Sequence, residues 1–274
     1  MAPLKIVLLT DFSPLSRLAI QYALKMASKL EAEFSIFSIV RVDGLPKSNM
    51  RLKQLEKTLM DVAEEEGKSL LKELKSKTNF PIQFKAVRAH TVSDFVKRYT
   101  EKNYTNLVVM GSQGASQLKK ATFGGTTVSV IDSIYSPVLA IPKLAEFKDF
   151  KHVVYATDLK NVQKELDLLI PFAKIFGSHI HVVHVVSMVD KKVEAQKAAT
   201  EEVIRKTGYS SIDFKLVIDD NIPESIDHFI REKKADLLTT FTHELNLYEK
   251  LFGLSVTRKL AYQGTIPLLT FKRK

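Results

Sequence analysis

Leu107-Val108-Val109-Met110-Gly111-Ser112-Gln113-Gly114, followed by Gly124-Gly125-Thr126-Thr127, is the stretch on which the fold turns. An apolar run of strand length ends in a glycine-bearing loop, crosses a polar segment, and reaches a second glycine pair before apolar-periodic residues. Glycine brings no Cβ, so backbone N–H groups can converge on an anion, and a helix opening at the second pair favours negative charge at its N-terminus. Each charge-assisted N–H contact contributes roughly 1.5–3 kcal/mol. Three or four of them would hold a triphosphate without a lysine.

Outward from this loop, short apolar strands alternate with amphipathic helices. Lys5-Ile6-Val7-Leu8-Leu9 ends in Thr10-Asp11-Phe12-Ser13, and Pro14, a favoured first-turn residue after a Ser13 cap, opens a helix through Leu18, Tyr22, Leu24 and Met26. The pattern then repeats. Thr157-Asp158-Leu159 closes Val153-Val154-Tyr155-Ala156 as Thr10-Asp11-Phe12 closes the first strand, and a helix follows from near Asn161. Ile222-Pro223-Glu224-Ser225-Ile226 answers Val92-Ser93-Asp94-Phe95-Val96, and Leu237-Leu238 answers Leu107-Val108. Phe252-Gly253 answers Phe123-Gly124, and Ile266-Pro267-Leu268-Leu269 answers Ser136-Pro137-Val138-Leu139. The chain therefore reads as two tandem α/β domains, residues 1–145 and 146–274, each a five-stranded parallel sheet with helices on both faces. In such sheets ligands sit at the carboxyl ends of the strands where strand order reverses, which brings Asp11, the end of Phe34–Val40 and the Gly111 loop to one crevice.

Composition bounds the rest. A length of 274 residues with 45% apolar content suits two domains of about 100–150 residues. The absence of cysteine excludes a disulfide framework, thiolate chemistry and a cysteine metal site. No apolar run approaches the roughly 18 residues of a membrane span, and Asp11 interrupts the first strand, so the expected compartment is the cytoplasm, with no membrane partner. The formal charge of +10 raises nucleic acid as a partner, with lysines dense from Lys47 to Lys77 and in Lys272-Arg273-Lys274. Those lysines alternate with Glu56, Asp61, Glu64, Glu65, Glu66 and Glu73, the pattern of a solvated helix laced with i,i+4 pairs. No zinc-finger, RNA-recognition or helix-turn-helix signature accompanies them, so nucleic acid is not the expected partner.

The spacing G-x2-G-x9-G followed by small hydroxyl residues resembles the nucleotide-binding motif of the universal stress protein family. The likeness covers nearly all of residues 3–142: Thr10-Asp11-Phe12-Ser13 resembles that family's first turn, Ala19 to Ala27 its first helix, Phe34–Val40 its second strand, Val87-Arg88 its third and Ser136 to Pro142 its last. The resemblance implies a Rossmann-like three-layer fold of the adenine nucleotide alpha-hydrolase type, with ATP and Mg²⁺ as ligands. It implies that Asp11 hydrogen-bonds the ribose or adenine side and that Leu9 and Ile39 line the adenine pocket. Met110, Gly111, Gly114, Gly124, Gly125 and Thr126 would cradle ribose and phosphates. It further implies pairing of last strands, so that the two halves form a covalent pseudo-dimer through Val138–Ile141 and Leu268–Thr270, with a homodimer as the other assembly. In one departure, Gly125 stands where the family usually has serine or threonine, and the hydroxyl comes one step later, at Thr126. Plainer readings stand beside these. Asp11-Phe12-Ser13-Pro14 also fits an ordinary strand-to-helix turn, the glycines also fit a tight loop without a ligand, and Ile39 is core on either reading.

The second half has lost the cradle. Placing Leu237–Glu244 on Leu107–Gly114 puts Phe241 and Glu244 at the glycine positions, and moving the gap by one puts Thr240 and His243 there. A Cβ at a position needing left-handed backbone costs about 1–2 kcal/mol, and Glu244 would repel phosphate. This half is expected not to bind ATP in that mode, with Gly253 as a lone survivor and Asp158 as a relic of the turn. His179 and His181 share one face of a strand and His184 takes the other, so the three do not converge and no metal site is expected. His243 and Glu244 near His184 leave a different small ligand open. For catalysis, no Walker, G-x-G-x-x-G or G-x-S-x-G sequence is present, and the S-x-x-K matches Ser69–Lys72 and Ser116–Lys119 fall where lysine is abundant. Hydrolysis needs a positioned water, a base and charge stabilisation. The loop offers only Lys119 and Lys120, so no catalytic residue is assigned and at most slow ATP turnover is expected. The expected function is an ATP-binding, regulatory stress-response protein with one nucleotide in the N-terminal half. The alternatives are a structural or partner-binding module acting through residues 51–77, a weak ATPase, and a sensor of another ligand in the second half.

Overall fold

Ile6, Val7, Leu8 and Leu9 are buried whichever side of the strand they face, the mark of a central strand in a parallel sheet covered on both faces. In the computed structural model, which describes residues 3–41, 50–113, 124–186, 193–242 and 265–273, they form β1 (Leu4–Leu9). β1 is flanked by β2 (Ala32–Arg41) and β4 (Leu107–Gly111). β3 (Ile82–Ala89) and β5 (Val138–Ile141) complete an all-parallel sheet in the order β3-β2-β1-β4-β5.

The crossovers are helices: α1 (Pro14–Met26), α2 (Met50–Lys75), α3 (Val92–Asn103) and α4 (Gly125–Ser133). Ser13 caps α1 by accepting the Ser16 N–H at 3.3 Å, with Pro14 in the first turn, and Thr91 caps α3 by accepting the Asp94 N–H at 3.0 Å. The two side-chain parities of β2 show both faces covered. Phe37 meets the rings of Phe95 and Tyr99 on α3 at 4.9 and 4.6 Å, while Val40 packs with Ala63 and Met60 of α2.

The chain divides into two units, residues 1–143 and 144–274, and the second repeats the order of the first. Its elements are β6 (His152–Ala156), α5 (Val162–Phe176), β7 (His179–Val186), α6 (Val193–Lys206), β8 (Ile212–Ile218), α7 (Ile222–Glu232), β9 (Leu237–Thr242) and β10 (Leu268–Lys272). The sheet runs β8-β7-β6-β9-β10, all parallel. The repetition extends to single bonds. The Asn106 side chain accepts the Lys5 N–H at 2.9 Å, and the Asp236 side chain accepts the His152 N–H at 3.1 Å. Thr10 Oγ1 and Asp11 Oδ1 accept the N–H groups of Phe12 and Ser13 at 2.9 and 3.1 Å. Thr157 and Asp158 do the same for Leu159 and Lys160 at 3.0 and 3.1 Å. Both turns hold a bulky residue in left-handed backbone, Phe12 at φ 60 and Leu159 at φ 63. Two side-chain acceptors over-determine that conformation, which otherwise costs about 1–2 kcal/mol. No helix among the described residues is long and apolar enough to cross a membrane.

Candidate functional site

Strand order in the first unit reverses between β1 and β4, and a cleft of about 360 Å³ opens at their carboxyl ends. Six of the nine residues expected from sequence line it: Leu9, Asp11, Ile39, Met110, Gly111 and Thr126. Gly124 and Gly125 open α4 beside them, Gly124 as the N-cap and Gly125 as the first helical residue. Gly114, with Ser116, Lys119 and Lys120, lies outside the described residues. The sequence reading missed Thr10, Ser16, Arg41, Val92, Gln113 and Thr127, which line the same cleft. Arg41 ends β2 and Val92 opens α3, so only the folded sheet and its helices bring them to the cleft.

Gly111 and Gly124 each have a structural role of their own. Gly111 is not among the positive-φ residues; a Cβ there would lie 2.8 Å from Leu15 Cγ of α1, so close packing, not left-handed backbone, requires the missing side chain. The Gly124 N–H donates to Ser112 O at 2.8 Å, drawing the start of α4 onto the end of β4. Thr127 reinforces that closure, its hydroxyl donating to Gly111 O at 3.0 Å in a buried position. Gly124, the N-cap, supplies no side-chain cap to α4, and the first-turn amides at Gly125, Thr126 and Thr127 stand at the end of the helix that favours negative charge. A Cβ built on Gly125 meets nothing within 4 Å.

In the second unit a bulky side chain stands at the position of Gly111. β9 pairs with β6 as β4 pairs with β1, Val153 opposite Leu237 and Ile6 opposite Leu107. This register selects the alignment that sets Phe241 on Gly111. The Phe241 ring is buried, stacked on Phe271 at 4.7 Å and edge-on to Tyr155 at 5.5 Å. Asp158, expected as a relic, grips a cation: Arg273 Nη1 and Nη2 donate to its carboxylate at 2.9 and 2.5 Å, and Arg273 Nε donates to Glu165, which also accepts the Tyr155 hydroxyl. Burial raises the Asp158 pKa, but the hydrogen bonds from Arg273 and from the Lys160 N–H outweigh it and hold the carboxyl below its ordinary value. For Glu165 burial wins over the pull of Arg273, and its carboxyl is raised. His243 and Glu244 lie outside the described residues.

The histidines separate by face as strand geometry predicts. The His184 Nδ1 lies 2.8 Å from Thr157 O, while His179 and His181 share the other face. Neighbouring strands then add what a single-strand reading omits. Asp213 of β8 lies directly opposite His181, and His152 of β6 directly opposite His179. Asp213 Oδ2 is 3.0 Å from His179 Nε2 and 2.8 Å from His181 Nδ1, and His152 Nδ1 is 3.2 Å from His181 Nε2. Burial is the main influence on His181 and holds it below the usual imidazole range, against the pull of Asp213.

A doubly wound parallel sheet with its cleft at the β1/β4 reversal defines the class, and comparison with known proteins supplies the family. The model of the universal stress protein family matches residues 4–142, and the chain belongs to that family. It is 24% identical over 289 aligned positions to a universal stress protein of Synechocystis sp., covering 97% of this chain and 99% of that protein. It is 28% identical over 145 residues to a universal stress protein of Methanocaldococcus jannaschii, covering 51% of this chain and 82% of that one. The crystal structure of a universal stress protein from Archaeoglobus fulgidus shares the fold with a TM-score of 0.69 at 19% identity, over 98% of this chain and 96% of that one.

Proposed function

We propose that the first unit binds one adenine nucleotide, ATP with Mg²⁺, and that the protein acts as a regulatory nucleotide-binding stress-response protein of the cytoplasm with little or no hydrolysis. The observation that supports this reading most is the N-terminus of α4, where the N-cap Gly124 supplies no side-chain cap, opening into the cleft with Leu9, Ile39 and Asp11. An apolar wall suits the adenine ring, Asp11 suits the ribose hydroxyls, and the first-turn amides of α4 suit the phosphates. Among the described residues, those lining the cleft include no histidine or glutamate to activate water. The second unit, with Arg273 on Asp158 and Phe241 in the Gly111 position, binds no nucleotide in this reading. Pairing of the two last strands into a pseudo-dimer belongs to the same proposal.

Gly125→Glu tests it. The added Cβ enters open space and a carboxylate in the first turn favours the helix, so the variant is expected to fold at least as stably as the parent. Its charge opposes phosphate, so ATP affinity should fall by tenfold or more, about 1.4 kcal/mol, in a titration with Mg²⁺ present. Unchanged affinity would remove α4 from the site. The partner-binding alternative has its own observation. Leu55, Leu59 and Val62 on α2 are 52%, 45% and 52% exposed, a short apolar stripe on the lysine-rich helix. Protein partners lost on Leu59→Glu, with ATP irrelevant, would favour it.

A further inference from the structure

The strongest feature outside the cleft is the group of His179, His181 and Asp213, whose ligand-capable atoms all lie within 4.8 Å of one another. We propose that these three side chains form a divalent transition-metal site of the second unit, with Zn²⁺ as the ion that suits it best.

The donor set is two imidazoles and one carboxylate, the mixture that borderline ions such as Zn²⁺ favour over Ca²⁺ or Mg²⁺. The strands hold it rigidly. His179 and His181 are two apart on β7 and so share a face, and Asp213 is the paired residue of His181 on β8. Asp213 Oδ2 already sits 3.0 Å from His179 Nε2 and 2.8 Å from His181 Nδ1. Small rotations of the three side chains would surround an ion with ligand distances near 2.0–2.2 Å. His152 supplies the outer support that metal-bound imidazoles need. With His181 Nδ1 on the ion, its proton resides on Nε2, which can donate to His152 Nδ1 at 3.2 Å. One side is closed: the His181 side chain is 7% exposed, and Phe229 of α7 stands edge-on to its ring at 6.4 Å. The other is open, with the His179 and Asp213 side chains 38% and 41% exposed, leaving a path and a fourth position for water. Lys233, with Nζ 3.9 Å from Asp213 Oδ2, is the cation such an ion would displace.

Binding at this point ties β7 to β8 and selects the folded form, so the second unit melts at a higher temperature in Zn²⁺. The test is calorimetric titration of the untagged full-length protein with Zn²⁺ in a non-chelating buffer. One saturable site per chain is expected, at micromolar affinity or tighter. His179→Gln and Asp213→Asn alter half-exposed side chains and are expected to retain the parent's circular dichroism; each should weaken binding by about tenfold or more. His184→Gln, on the opposite face, should leave it unchanged. Co²⁺ bound by the parent should show visible absorption from nitrogen and oxygen ligation that disappears in the same two variants. Absence of a saturable site at submillimolar Zn²⁺, or a site indifferent to both variants, would overturn the proposal.

Discussion

Asp11 and Asp158 occupy one turn twice over, and their neighbours give them opposite tasks. Asp11 lines an open cleft, whereas Asp158 holds Arg273 in two hydrogen bonds within a largely buried cluster that includes Glu165 and Tyr155. Replacing Arg273 by methionine leaves two poorly solvated carboxylates without their cation. The expected loss is about 3 kcal/mol in urea unfolding, and a loss below about 1 kcal/mol would show the cluster to be peripheral. The acid limb of stability follows from Asp158. Its folded pKa lies below the unfolded one, so its contribution is complete above about pH 4 and disappears as pH falls through the folded value. Asp158→Asn should therefore flatten the decline of unfolding stability below about pH 4. Glu165 is raised and titrates on the other side of its ordinary value, so it does not mimic this limb. At Gly125, serine restores the hydroxyl at the position where the family usually carries one and meets no neighbouring atom. Gly125→Ser should tighten ATP binding several-fold and raise the melting temperature slightly, since glycine loses more backbone freedom on folding than serine does. The Thr-Asp turns were legible from sequence because their bonds span two residues. Arg273 was not, because it reaches Asp158 across more than a hundred residues.

Among the elements, α2 shows where local pattern and packing disagree. Gly67 sits within this helix, where alanine would ordinarily be better by about 1 kcal/mol. A Cβ there would fall 1.9 Å from Phe84 Cε1 of β3, and the Phe84 ring also meets Phe12 at 6.0 Å between centroids. The sign reverses: Gly67→Ala should destabilise the first unit by about 1–3 kcal/mol, and adding Phe84→Leu should recover part of the loss. Stabilisation by the single change would mean that α2 stands farther from β3. The alternating Lys and Glu of this helix signalled a solvated face laced with i,i+4 pairs; Lys77–Glu73 at 2.7 Å is such a pair, whereas Arg17–Glu66 at 3.1 Å and Arg88–Glu56 at 2.7 Å tie the helix to α1 and β3. The charge pattern gave no sign that Gly67 is a contact point, since that depends on which helical face meets β3. The same limit explains the histidines. Period two separated His184 from His179 and His181, but Asp213 and His152 join them only through the β6-β7-β8 register.

For the whole molecule, duplication was legible because each copy preserves short-range punctuation: Thr-Asp after the first strand, a capped helix before the fourth, proline before the last. Order β3-β2-β1-β4-β5 and its counterpart β8-β7-β6-β9-β10 follow from that repetition. The divergence of the second copy was half legible. Missing glycines were visible in Leu237-Leu238-Thr239-Thr240-Phe241-Thr242, whereas the reason Phe241 fills the space required the β6-β9 register. The asymmetry between copies is the centre of the account, and stoichiometry reads it directly. Calorimetric titration of the full-length chain with ATP and Mg²⁺ should give one nucleotide per chain, unchanged by Asp158→Asn. Two nucleotides per chain, or none, would contradict it.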